Sequence, residues 1–257
     1  MKKKIVVFDV DETLGYFTQL GVFCYCLDKY FSDDEYGNRN FNEILELCPE
    51  FIRPKLLPTL EYLKKKKKEK KCYKIMIYTN NQGPKIWVEN LKKYFHHILN
   101  YNLFDQIIAA FKVRGERVEL GRTSHEKSVD DFFRCTQLPS DVEICFVDDI
   151  YHPKMEDGKV YYINVKPYHH HLSFSTFLLR FINSELGKKI KNKQDFIKKM
   201  KYIYNFNEEI KDKNEQDIDE IVGKKLFQHI KQFFYENNNQ TLKNKKKKSK
   251  HKSLRRK

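Results

Sequence analysis

Five short apolar runs punctuate the first 165 residues: KIVVF (4–8), YKIMIY (73–78), QIIAA (106–110), VEICFV (142–147) and VYYINV (160–165). Each is too short for a buried helix and rich in β-branched or aromatic residues, the pattern of strands covered on both faces. Helical patterns lie between them, over 55–68 after Pro54, 84–95 after Gly83, and 127–135. Strands alternating with helices predict an α/β fold with a central parallel sheet flanked by helices. Such sheets bind ligands outside the carboxyl ends of their strands, so the residues just after each run are the candidates for function.

Residues 14–53 break the alternation. They are aromatic, contain Gly15, Gly21 and Gly37, and predict a flap or minimal cap with one short helix near 41–47. The expected main domain spans 1–185. A charged helical extension follows over 186–235, with Tyr202, Tyr204 and Phe206 as packing anchors and Ile221, Leu226, Ile230 and Phe233 on one helical face. A basic tail over 236–257 is disordered by composition.

The formal charge of +15 is concentrated at that end: residues 243–257 hold ten Lys or Arg and no acid. The tail therefore reads as a nucleic-acid-contacting or nuclear-localisation-like segment. The lysines of 64–71 read as a solvated helix C-terminus, where cations favour the dipole. No run approaches the ~18–20 apolar residues of a membrane span. The apolar run after Lys2–Lys4 stops at Asp9, unlike a secretory leader. Six cysteines fall at no zinc spacing, which fits a reducing cytoplasmic or nuclear setting.

The strand 4–8 runs into Asp9-Val10-Asp11-Glu12-Thr13, and the strand 142–147 into Asp148-Asp149. One such pair alone reads as turn or cap acids. Two pairs at strand ends that a parallel sheet can make neighbours gather three or four carboxylates at one rim. Their repulsion calls for a divalent cation, and an all-oxygen donor set suits Mg²⁺. The second run ends in Thr79-Asn80-Asn81, where a hydroxyl and backbone N–H groups at a helix start can hold a phosphate oxygen. Lys127, opening the helix before the fourth strand, can reach the same oxygens, with Lys112 competing for that role. His152 and His169-His170-His171 read as loop or substrate-edge residues, because consecutive side chains on an extended chain cannot easily converge on one metal. Tyr16, Phe17 and Tyr25 either line the mouth of the site or pack the flap.

In this order, FDVDETL (8–14), IMIYTNN (75–81), a helix-opening lysine and CFVDD (145–149) resemble the four motifs of the haloacid dehalogenase-like (HAD) phosphohydrolases, over residues 4–165. The chain is more similar still to the subset related to RNA polymerase C-terminal-domain phosphatases and NLI-interacting-factor-like proteins. That subset carries D-x-D-E-T-L and an arginine–proline pair opening the helix before the second motif, which FIRPKLLPTLEYL (51–63) resembles. TNNQGP (79–84) is instead similar to a segment of polynucleotide 3′-phosphatases of the same superfamily, and Asp148-Asp149 stands where the subset often has aspartate–asparagine. The lysine- and asparagine-rich composition, with YHPKM and VKPYHHHLSF, resembles proteins of large DNA viruses.

The resemblance implies a Rossmann-like HAD fold with a minimal cap, extra C-terminal helices, and a Mg²⁺-dependent phosphomonoesterase working through an aspartyl-phosphate. Asp9 would be the nucleophile and Asp11 the general acid and base. Asp9, the backbone carbonyl of Asp11, and Asp149 would hold Mg²⁺, with Asp148 binding directly or through water. Thr79 and Lys127 would bind the phosphoryl oxygens, Asn80 would touch the substrate side, and Thr13 would brace the first loop. A short cap leaves the site open to a macromolecule, so the expected substrate is a protein phosphorylated on serine or threonine. A polynucleotide 3′-phosphatase is the alternative. A non-catalytic nucleic-acid-binding or scaffold protein on the same fold is the reading of another class.

Overall fold

The computed structural model describes the backbone of residues 2–253, and the side chains of all of these except 85 and 236–253. The expected disordered tail thus lies outside the described residues in its side chains and, from 254, in its backbone. The strands are β1 (Lys4–Phe8), β2 (Lys74–Tyr78), β3 (Gln106–Ile108), β4 (Lys112–Val113), β5 (Glu116–Arg117), β6 (Glu143–Asp148) and β7 (Val160–Asn164). The helices are α1 (Thr18–Phe31), α2 (Tyr36–Arg39), α3 (Phe41–Glu46), α4 (Leu56–Lys68), α5 (Lys85–Ile98), α6 (Val129–Thr136), α7 (Phe174–Asn183), α8 (Lys193–Ile203) and α9 (Lys213–Ser253).

Five strands form one sheet in the order β3-β2-β1-β6-β7, every pairing parallel, while β4 and β5 make a separate antiparallel hairpin. The fold is α/β and Rossmann-like. β1 lies at its centre, with Val7 in register with Met76 on one side and Phe146 on the other. Successive β1 side chains enter different cores. Val6 and Phe8 join the larger one, with Leu20, Leu60, Leu91, Phe177 and Ile230. Ile5 and Val7 join the smaller one, with Phe132, Phe146 and Met155. Burial on both faces is the reason the run from Ile5 to Phe8 holds no polar residue.

The cap differs from expectation. The short helix expected near 41–47 is α3, but residues 14–53 also form α1 and α2, and α1 buries Leu20, Phe23, Cys24 and Leu27 at the i, i+3, i+4, i+7 spacing. α1 has no side-chain N-cap and no acid in its first turn, and its aromatic and cysteine residues are weak helix formers. Packing against Phe177 and Phe181 of α7, rather than propensity, makes it a helix.

Three other readings change. Lys64 donates to the carbonyl of Leu99 at 2.7 Å, and Lys67 to that of Leu103 at 2.8 Å and to Asp105. Part of the lysine run thus fastens α4 to the chain leaving α5. Ile221 of α9 is exposed, and the buried face is Leu226, Ile230, Phe233 and Phe234. α9 meets the start of α4 at Gly223, where a Cβ would lie 2.1 Å from the Pro54 carbonyl oxygen. Tyr202 is 92 % exposed and anchors nothing. Tyr204 accepts from Gln19 at 2.7 Å and packs on Phe174. Phe196, Met200, Leu226 and Ile230 share the larger core with the sheet, so the C-terminal helices complete that core. All six cysteines are free, and Cys72 and Cys145 are buried as expected. Among the described residues no helix is long and apolar enough to cross a membrane.

Candidate active site

The loop after β1 is a closed turn. Asp9 N–H donates to the Val147 carbonyl at 2.9 Å, so the β1–β6 ladder runs one residue beyond the strand and sets Asp9 beside the end of β6. Glu12 then takes a left-handed conformation (φ 58°), its N–H donates to the Gly15 carbonyl at 2.8 Å, and Leu14 N–H returns to the Val10 carbonyl at 2.8 Å. Gly15 is required here: a Cβ would lie 2.3 Å from the Phe51 carbonyl oxygen. Arg53, 2 % exposed, clamps the turn from below. Its guanidinium donates to the carbonyls of Thr13 (2.6 Å), Lys166 (2.9 Å) and Glu12. Burial lowers its pKa to about 10, so it stays charged at neutral pH. The arginine of the Arg-Pro pair therefore shapes the loop after β1.

Asp9, Asp148 and Asp149 each bring a carboxylate oxygen within 4.8 Å of the other two. Asp149 is fixed by Thr13, whose hydroxyl donates to its Oδ1 at 2.8 Å and accepts from its N–H at 3.0 Å. Lys127, 1 % exposed, donates from Nζ to Asp9 Oδ1 at 2.5 Å and to Asp148 Oδ2 at 2.6 Å. Ser128 follows it as the N-cap of α6, accepting from Asp131 N–H at 3.1 Å, which sets where Lys127 leaves the helix. Burial works against the Lys127 ammonium, yet Asp9 and Asp148 together hold its pKa above the ordinary lysine value. Burial pushes both Asp148 and Asp149 above the usual carboxylate range. Lys127 contacts two of the three carboxylates, so the cluster keeps an excess of negative charge, and its hard oxygen donors could hold a metal ion.

Asp11 stands outside that triad. Asn81 donates to its Oδ2 at 2.8 Å, and burial raises its pKa to about 6 against the opposing pull of this bond. Asn81 is itself locked: its Oδ1 accepts from Gly83 N–H at 2.9 Å, and its N–H donates to the Thr79 hydroxyl at 3.0 Å. Thr79 is 1 % exposed at the end of β2, with its hydroxyl hydrogen left for another acceptor. Arg122, fully buried, joins three loops by donating to the carbonyls of Thr79 (3.1 Å), Ala109 (3.0 Å) and His125 (2.9 Å).

The structure thus brings Asp9, Lys127, Asp148 and Asp149 into direct contact or near it, with Asp11 and Thr79 joined to one another through Asn81. Asn80 is half-buried, its Oδ1 has no hydrogen-bond partner among the described residues, and Asn81 makes the link to Asp11 instead. Lys112 lies in the hairpin over the Phe111 ring, away from this cluster, leaving Lys127 as the lysine at the carboxylates. His152 is buried with Nε2 3.6 Å from Asp148 Oδ2, and burial lowers its pKa to about 4. Of the three consecutive histidines, His169 and His171 both pack against the Tyr16 ring, His169 lying near Glu12 and His171 accepting from Glu209 N–H at 2.7 Å, whereas His170 turns to Tyr168. Phe17 packs in the core, whereas Tyr25 is exposed. Asn81 and Arg122 were not singled out in the sequence. Asn81 lies inside the T-N-N segment that marks the second strand end, but no sequence signal distinguishes Arg122. Compared with known proteins, the chain matches no family model, no curated protein and no solved structure.

Proposed function

We propose that the chain is a HAD-type, Mg²⁺-dependent phosphomonoesterase that works through an aspartyl-phosphate on Asp9. One observation carries this reading: Asp9, Lys127, Asp148 and Asp149 meet at adjacent strand ends, with Asp11 held two residues beyond the nucleophile at a pKa of about 6. A carboxylate with that value is divided between its two forms near neutral pH, as a group that serves first as acid and then as base must be.

In the first half-reaction an Asp9 carboxylate oxygen attacks phosphorus, the bond from phosphorus to the ester oxygen breaks, and Asp11 gives its proton to that oxygen. In the second, Asp11 takes a proton from water as the water oxygen attacks phosphorus, releasing phosphate and restoring Asp9. Lys127 and the Thr79 hydroxyl bind the equatorial oxygens, where charge is spread in the transition state. Mg²⁺, held by Asp9, Asp148, Asp149 and the Asp11 backbone carbonyl, would supply the charge neutralisation that lets an anionic nucleophile approach an anionic phosphoryl group.

The site lies at the carboxyl ends of the strands, and a macromolecular substrate, a phosphoprotein ahead of a polynucleotide, follows from the resemblance of the sequence motifs. The basic tail supports a nucleic-acid contact and a cytoplasmic or nuclear address. Phosphate release from p-nitrophenyl phosphate and phosphoserine peptides, with and without Mg²⁺, tests the reading. Asp9→Asn should lower kcat by about a thousandfold or more. Full activity in that variant would remove Asp9 as nucleophile.

A further inference from the structure

Two clefts flank the candidate site and share the Asn81–Pro84 loop as their dividing wall. The first, about 480 Å³, lies under the cap and is lined by Asp11, Tyr25, Trp87, Asp28 and Asp34 among others. The second, about 290 Å³, lies toward the β4–β5 hairpin, lined by Thr79, Ile107, Val113, Val118, Glu89 and Glu119 among others. The first thus opens on the group that protonates the leaving oxygen, the second on a group that binds the phosphoryl oxygens.

Among the described residues, five carboxylates line the two clefts and no lysine or arginine does, although Lys29 and Lys92 reach Asp34 (3.3 Å) and Glu89 (3.5 Å) from the rims. This is the reverse of the chain as a whole. The cap over 14–53 carries seven acids against three bases in a protein of net charge +15. Asp28 feels Asp33, Asp34 and Glu35 together, which add to the effect of burial in raising its pKa. At the rim the protein already shows what such a surface takes. The Lys29 ammonium lies 5.4 Å from the centre of the exposed Tyr25 ring and 3.3 Å from Asp34 Oδ1. A substrate cation there would take the place of the Lys29 ammonium on this aromatic face and carboxylate, with Asp28 and Trp87 beside them.

We propose that the substrate is a phosphopeptide with a lysine or arginine next to the phosphorylated residue. The basic side chain lies in the cap-side cleft against Tyr25, Trp87, Asp28 and Asp34, and an apolar neighbour fills the hairpin-side cleft. This rests on the phosphomonoesterase reading above. A polynucleotide end is disfavoured by the same surface, since its neighbouring phosphates need cations and would meet carboxylates instead.

The test uses the full chain with Mg²⁺ and fluorescent phosphoserine peptides identical except for arginine, alanine or glutamate beside the phosphoserine, alongside a 3′-phosphorylated oligonucleotide and p-nitrophenyl phosphate. The arginine peptide should exceed the glutamate peptide by about tenfold in kcat/KM, through cation–π and ion-pair contacts that each contribute modestly. Asp34→Lys, at an exposed position, should shrink or reverse that ratio. Equal turnover whatever the neighbouring charge, or better turnover of the oligonucleotide, would overturn the proposal while leaving the phosphomonoesterase reading intact. Fluorescence anisotropy of the same peptides on Asp9→Asn protein reads the charge preference without turnover. A failure to hydrolyse p-nitrophenyl phosphate or any peptide would therefore count against the chemistry alone, and an absent binding preference against the substrate class.

Discussion

Asp11 and Asn81 show how finely one hydrogen bond sets the chemistry. Burial raises the Asp11 carboxyl, and the Asn81 amide, which favours the ionised form, limits the rise to about 6. In the proposed first step Asp11 must carry a proton, so kcat/KM should fall as pH rises through that value. Asn81→Ala removes the restraint, raises the pKa further, and should move the descending limb to higher pH. A pH profile of both proteins on p-nitrophenyl phosphate checks this, and an unmoved limb would assign the titration to another group. Arg53 and Arg122 act differently, through backbone carbonyls. Arg53→Ala would strip three carbonyls of a buried charged donor and should cost about 3 kcal/mol or more in urea unfolding. Asp9, Asp11, Thr79, Asp148 and Asp149 were legible in the sequence because they directly follow apolar runs whose strand ends a parallel sheet can make neighbours. Arg122, in a polar Gly-Arg-Thr-Ser stretch, was not, because its role depends on three loops that only the fold brings together.

At the scale of elements, the strands followed directly from their apolar runs; β2 and β7 are each one residue shorter than expected, and β3 is two shorter, ending at Ile108. The cap was the weak point. Its helix α1 has apolar residues at helical spacing but few strong helix formers, and the partner that stabilises it, α7, lies over 140 residues later. One ion pair joins those distant parts: Arg180 of α7 donates to both Glu50 oxygens (2.8 and 2.7 Å) and to the Leu47 carbonyl at 2.9 Å. This bonding holds the Glu50 carboxyl below its ordinary value of 4.5. Its contribution is therefore complete above the unfolded value and lost as pH falls through the folded one. Glu50→Gln should lower stability by about 0.5–1 kcal/mol at neutral pH, because a third of each side chain faces water. The deficit should shrink as pH falls below about 4, a convergence that thermal melts across pH would reveal.

For the whole molecule, charge is divided by place: a cation-rich C-terminal end, and a site and cap rich in acids. If residues 243–257 contact nucleic acid, DNA binding by the full chain should weaken steeply with salt. The log–log slope should fall toward zero in a chain of residues 1–242, since each phosphate neutralised contributes about 0.9 to that slope. Equal binding by both chains would remove the tail from that role. The Lys127 bridge has a consequence for the protein before any substrate arrives. Three converging carboxylates would ordinarily resist being gathered by folding alone, and many small metal sites fold only when loaded. Here an ammonium supplied by the chain itself lies between Asp9 and Asp148, and the Thr13 hydroxyl secures Asp149. On the proposed cation-binding reading, assembly of the fold and loading of a cation are therefore separate events, and a chelator should leave the melting temperature of the chain unchanged.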